Sequence, residues 1–104
     1  MSGDFLFLAG QGPFDLAGKR VPGPFEEEAR LAFRNLSAIA RAAGADLRNA
    51  VRIGVYLLDM DNFAAMNDVC GEFFDDPLPA RTTIRVDLRG FQIEVDAIVR
   101  ITGA

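Results

Sequence analysis

The sequence predicts an α+β domain in which one mixed sheet carries two helices on the same face. Three observations lead there. Segments 25–43 and 61–74 repeat their apolar residues at three- and four-residue steps, the stripe of a helix with one buried side. Apolar or alternating runs near 5–9, 50–58, 81–88 and 92–101 read as strands. The 104 residues, 50% of them apolar, suffice for one core, so a single domain spans 1–104.

Phe5-Leu6-Phe7-Leu8-Ala9, closed by Gly10-Gln11-Gly12-Pro13, predicts a strand buried on both faces and ended by a turn. Lys19-Arg20-Val21, after a turn signal at 15–18, predicts a short return strand. In the first helix Ala29, Ala32, Phe33, Leu36, Ile39, Ala40 and Ala43 form the stripe, and Gly44 stands where a C-cap belongs. Glu26-Glu27-Glu28 fall in its first turn, favourable against the positive helix end, and read as solvated.

Val51, Ile53, Val55 and Leu57 then alternate with Arg52, Gly54, Tyr56 and Leu58, the pattern of a strand. Asp61 or Asn62 can cap the second helix, whose stripe of Phe63, Met66, Val69, Cys70, Phe73 and Phe74 reads as core, and Asp75-Asp76-Pro77 stops it. Arg81 to Leu88 and Gln92 to Ile101 supply two last strands about the Arg89-Gly90 turn signal.

Side chains on a strand alternate between faces. Thr82, Ile84, Val86 and Leu88 therefore oppose Arg81, Thr83, Arg85 and Asp87, while Ile93, Val95, Ala97, Val99 and Ile101 fit under the helices and oppose Glu94. Arg81 and Glu94 are expected to share the face that the helices leave open. The first and third strands present apolar residues to that face too, and an apolar, helix-free sheet face on a small domain predicts a homo-oligomer packed through it.

Composition removes several chemistries. There is no histidine and one cysteine, Cys70, so an imidazole metal site, a Ser-His triad and an internal disulfide are all excluded. Cys70, on a helical apolar stripe, reads as a small hydrophobe. A formal charge of −4 argues against nucleic acid as the main partner, because phosphate tracking needs clustered positive charge. The longest apolar run is far short of the roughly 20 residues that a membrane span requires, and no basic segment precedes it as in a signal peptide. A cytoplasmic protein is expected.

Five stretches in order, Ala9-Gly10-Gln11-Gly12-Pro13, Ala42 to Leu47, Val55 to Asn67, Pro79-Ala80-Arg81-Thr82-Thr83 and Ile93-Glu94-Val95-Asp96-Ala97, resemble the RidA (YjgF) family over nearly the whole chain. The resemblance implies a chorismate-mutase-like fold and a homotrimer with sites in clefts between subunits. It implies a hydrolase of the 2-iminobutanoate/2-iminopropanoate deaminase type, needing no cofactor and no metal, that converts small 2-imino acids to 2-oxo acids and ammonia. Arg81 falls on the arginine that holds the substrate carboxylate, and Glu94 on the glutamate that serves the hydrolysis. Gly10 falls on a glycine whose backbone approaches the substrate, Thr83 on a substrate-binding position, and Asn67 on a supporting asparagine.

The chain departs from the family's pattern in three places. It begins almost at the first strand, without the Gly-Pro-Tyr segment whose tyrosine reaches the site; Thr83 stands for a small thiol; and Cys70 replaces a frequent tyrosine. Two other readings therefore stay open: a non-catalytic trimeric module that binds small carboxylates, and an endoribonuclease. Bland roles also stay open, with Arg81 pairing a carboxylate across an interface, Glu94 solvated, and Gly12 serving a turn.

Overall fold

The computed structural model describes residues 3–101. Its elements are β1 (Phe5–Gln11), α1 (Phe25–Ala42), β2 (Ala50–Leu57), α2 (Phe63–Gly71), β3 (Ala80–Arg85) and β4 (Ile93–Arg100), with short 3-10 turns at Leu47–Asn49 and Met60–Asn62. The sheet order is β1-β4-β2-β3. Strand β4 is antiparallel to β1 and β2, and β2 is parallel to β3. The chain therefore makes two parallel crossovers, each through a helix, and β4 inserts between the strands of the first.

Register shows which side chains the helices cover. Ile53, Val55 and Leu57 of β2 stand opposite Ala97, Val95 and Ile93 of β4, and Leu6 and Leu8 of β1 opposite Val99 and Ala97. They meet Phe33 and Leu36 of α1 and Met66 and Val69 of α2 in one core. Burying side chains of this size contributes about 1.5–3 kcal/mol each. Phe33 is fully enclosed and stacks on Phe73 at 5.2 Å between centroids, with Phe74 edge-on at 6.1 Å.

Helix α1 ends as its sequence predicts. Gly44 adopts φ +78°, and the Gly44 and Ala45 amides donate to the carbonyls of Arg41 and Ala40, both at 2.9 Å. These two bonds satisfy carbonyls the last turn would otherwise leave bare, and only glycine takes that φ without strain.

Several expectations are corrected. The sheet has four strands: at 19–21 only a single bridge forms, Phe14 with Arg20. The Asp15 and Val21 amides donate to the carbonyls of Lys19 and Pro13 at 2.8 and 2.9 Å on either side of that bridge, and Asp15 Oδ1 accepts from the amides of Ala17 and Lys19, each at 2.9 Å, so the return segment is a tight turn with a minimal antiparallel pairing outside the sheet. Helix α2 stops at Gly71, short of Phe74, and β3 stops at Arg85, short of Leu88. Strand β1 is buried on one face only within the chain, since Phe7 is 59% exposed. Glu28 is not solvated but 1% exposed. Its carboxylate accepts from Arg20 Nη2 at 2.7 Å, Gln92 Nε2 at 2.9 Å and the Gln92 amide at 3.1 Å, so burial of the charge is met by donors.

Among the described residues no helix is long and apolar enough to cross a membrane.

Candidate functional site

Arg81 is the second residue of the edge strand β3, and its register partner on β2 is Ile53, a core residue under the helices. Its side chain therefore rises on the helix-covered side, where α2 meets it. Arg81 Nη1 donates to Asn67 Oδ1 at 2.6 Å, and its Cζ lies 5.5 Å from the centre of the Phe63 ring. Residues 63 and 67 are one helical turn apart, so both reach the same guanidinium from one face of α2. Among the described residues no carboxylate pairs with Arg81.

A cavity of about 380 Å³ opens beside this arginine, walled by Ile53, Cys70, Phe74, Leu78 and Pro79 and bounded by Asn67, Gly71 and Arg81. Burial pushes the Cys70 thiol up in pKa, outweighing the nearby Arg81 guanidinium, which draws it down. It stays a thiol at neutral pH, and thiolate is the nucleophilic form. Thr83 lies on the same side of β3, opposite Val55, and its Oγ1 is buried with no hydrogen-bond partner.

Gly10 and Glu94 meet on the other face. A bulge in β1 between Leu8 and Gln11 turns Gly10 toward Glu94. A Cβ on Gly10 would stand 2.8 Å from both Cδ and Oε2 of that side chain. Glu94 is opposite Tyr56 on β2. Tyr56 donates its hydroxyl to Asp96 Oδ2 at 2.8 Å, and Arg52 Nη1 lies 3.5 Å from Asp96 Oδ1. The bond to Asp96, reinforced by partial burial and the Asp96 charge, raises the Tyr56 pKa. Gly12 has a structural use: its carbonyl and that of Phe14 accept from Asn35 Nδ2 at 2.9 and 2.8 Å, tying the loop after β1 to α1.

The structure thus groups Arg81, Asn67 and Thr83 on one face, and Gly10 and Glu94 on the other. The expectation that Arg81 and Glu94 share a face is overturned. Their partners on β2, Ile53 and Tyr56, are three residues apart, about 10 Å along the strand, and point to opposite sides. Ile84 opposes Arg81 as alternation along β3 predicts, but on the open face: its register partner is Tyr56 and it is 43% exposed. Phe63, expected in the core stripe of α2, is 38% exposed. It lies outside the core cluster, and its i, i+4 spacing to Asn67 was the available signal. Among the described residues no three His, Cys, Asp or Glu side chains converge to hold a metal.

The family model described as Endoribonuclease L-PSP matches residues 1–101. The chain belongs to this family, which includes the RidA and YjgF proteins. Protein mmf2, mitochondrial, of Schizosaccharomyces pombe is 39% identical, over 93% of this chain and 80% of that protein. A Dermatophagoides farinae protein named 2-iminobutanoate/2-iminopropanoate deaminase is 35% identical, over 95% and 80%. The crystal structure of RidA from an Antarctic Psychrobacter superposes with a TM-score of 0.89 at 32% identity, covering 97% of this chain and 84% of that one. The fold is that of the YjgF proteins, the chorismate-mutase-like arrangement of two helices on a four-stranded mixed sheet.

Proposed function

We propose that this chain is a RidA-type deaminase that hydrolyses small 2-imino acids to 2-oxo acids and ammonia. We propose further that it does so as a homotrimer, with Arg81 of one copy facing Gly10 and Glu94 of a neighbour. The observation that carries the reading is the condition of Arg81, propped by Asn67 and Phe63 yet paired with no carboxylate among the described residues. A guanidinium held in place and left unpaired suits a ligand carboxylate, which it can bind through two parallel charge-assisted bonds. The separation of Arg81 from Glu94 on two faces of one sheet supports an assembled site, since one copy alone does not join them. The open face supports it too, with Phe7 and Ile84 exposed there; apolar surface of this kind favours a second subunit. Relatives named for this deamination, which the Dermatophagoides protein exemplifies, add support from homology.

The chemistry balances without an oxidant or an electron carrier. With the substrate carboxylate on Arg81, a water adds to the carbon of the C=N bond, and the π pair moves to nitrogen. Glu94, whose carboxylate has no hydrogen-bond or ion-pair partner among the described residues, takes a proton from that water and delivers it to the nitrogen. Glu94 then takes the proton of the new hydroxyl and passes it to the same nitrogen, so that the C–N bond breaks as the oxygen forms the carbonyl and ammonia leaves. One water is consumed for each ammonia released. A positioned carboxylate contributes about 10² to 10⁴ in rate to such a step. The ribonuclease activity in the family's name finds less support, because the net charge is −4 and the sequence lacks histidine.

The test is the loss of freshly generated 2-iminopropanoate and 2-iminobutanoate, followed against the spontaneous rate with wild type and Arg81→Ala. Acceleration by wild type alone is expected. Equal rates for the two proteins would remove Arg81 from the mechanism. Sedimentation at the mass of a single chain would remove the intersubunit site.

A further inference from the structure

Phe63 is a large apolar residue that the core does not use. It is the first residue of α2, it is 38% exposed, and it stands outside the cluster of buried side chains. Its placement is nonetheless well defined. Asp59 caps the preceding 3-10 turn, its side chain accepting from the Asp61 amide at 2.9 Å, and the helix continues directly from that turn. The ring so placed has one ionic neighbour among the described residues, the Arg81 guanidinium, 5.5 Å from its centre.

We infer that Phe63 is a positioning residue for Arg81: its ring and the Asn67 carbonyl, one turn apart on α2, together fix the guanidinium that takes the substrate carboxylate. This deepens the proposed function and rests on it. A cation within about 6 Å of a ring face is attracted by the negative charge there. The attraction has no preferred partner atom, so the ring limits tilt while Asn67 takes one N–H. Of the four other N–H groups the adjacent Cys70 thiol engages at most one, which leaves enough for a bidentate carboxylate. Without the ring, Arg81 keeps its charge and its bond to Asn67 but samples more orientations, and its ligand must order it on binding. The contribution expected of an exposed pair is about two- to fivefold in affinity.

The experiment titrates 2-oxobutanoate and its uncharged amide into wild type, Phe63→Leu, Phe63→Tyr and Arg81→Ala, and observes the Arg81 Nε–H resonance by NMR. Phe63→Leu is expected to bind the acid about two- to fivefold more weakly and the amide no differently. In the imine assay its KM should rise by the same factor while kcat holds. Phe63→Tyr, which keeps a ring face, should restore both, and the Arg81 Nε–H should move downfield in Phe63→Leu alone as ring shielding is lost. Unchanged acid affinity in Phe63→Leu, with the affinity lost in Arg81→Ala, would overturn this role and leave the deaminase reading standing. If Arg81→Ala binds the acid as wild type does, or wild type takes up none at millimolar concentration, the anchor and this role fall together.

Discussion

Gly10 lies so close to Glu94 that even a methyl group fits only if the carboxylate shifts: a Cβ on the glycine would come within 2.8 Å of the glutamate Cδ and Oε2. The contact is made to the far end of a flexible side chain, so Gly10→Ala should move the carboxylate and spare the fold. Its stability cost is expected at the low end of the overpacking range, about 1 kcal/mol. Displacing a catalytic group by an ångström can cost about 10²-fold, and kcat should fall on that order. Turnover and thermal melting measured on the same sample check this, and wild-type kcat in Gly10→Ala would show that the carboxylate's position is not critical.

Arg81→Lys keeps the charge but forfeits the planar fork and the ring contact with Phe63. KM for a 2-imino acid should rise about tenfold or more, with the melting temperature unchanged, because the side chain is exposed. Asn67→Ala removes one acceptor from the same guanidinium and should give a smaller rise, corresponding to about 0.5–1.5 kcal/mol. Steady-state kinetics would tell against this ordering if Asn67→Ala proved the more damaging of the two.

Helix α1 was legible because its evidence is local: a stripe at helical spacing, acids in the first turn and Gly44 past the last residue. The face occupied by Arg81 was not, because it depends on the parallel register between β2 and β3, set by the α2 crossover. Alternation along β3 shows that Arg81 and Thr83 share a side, yet cannot say which side the helices cover. Ile84 misled for that reason, being apolar and exposed on an edge strand. Glu28 was hidden among three consecutive acids, although its spacing of four and eight residues to Ala32 and Leu36 puts it, unlike Glu26 and Glu27, on the buried stripe of α1. Its donor partner Gln92 lies 64 residues away along the chain.

That buried acid holds two segments at once. Glu28 accepts from Arg20, in the loop after β1, and twice from Gln92, just ahead of β4. Glu28→Ala would leave the Gln92 amide short of a partner and remove a charge-assisted bond that Arg20, 39% exposed at its side chain, makes only partly shielded from water. A loss of about 2–4 kcal/mol is expected, a large fraction of the 5–15 kcal/mol that stabilises a typical domain. Glu28→Gln, which keeps an acceptor for the amide, should lose less. Denaturant unfolding of both variants decides it, and equal losses would mean that the charge on Glu28, not the acceptor, holds the loop.

Tyr56 allows a pH prediction that one chromophore can report, for it is the only tyrosine and there is no tryptophan. Its hydroxyl donates to Asp96, a bond that exists only while the phenol is protonated, and this bond with partial burial raises its pKa above the ordinary tyrosine value. A group whose folded pKa is raised contributes stability that is whole below its unfolded value and is lost as pH climbs through the folded one. The phenolate absorbance of the native protein should therefore appear above about pH 10, and unfolding stability should decline over the same range. Asp96→Asn removes the charge and weakens the acceptor, so its phenolate midpoint should shift back toward the free value. Tyr56→Phe should flatten the alkaline decline in stability. A native midpoint at the free value, or an unchanged decline in Tyr56→Phe, would separate the Tyr56–Asp96 bond from the energetics of the open face.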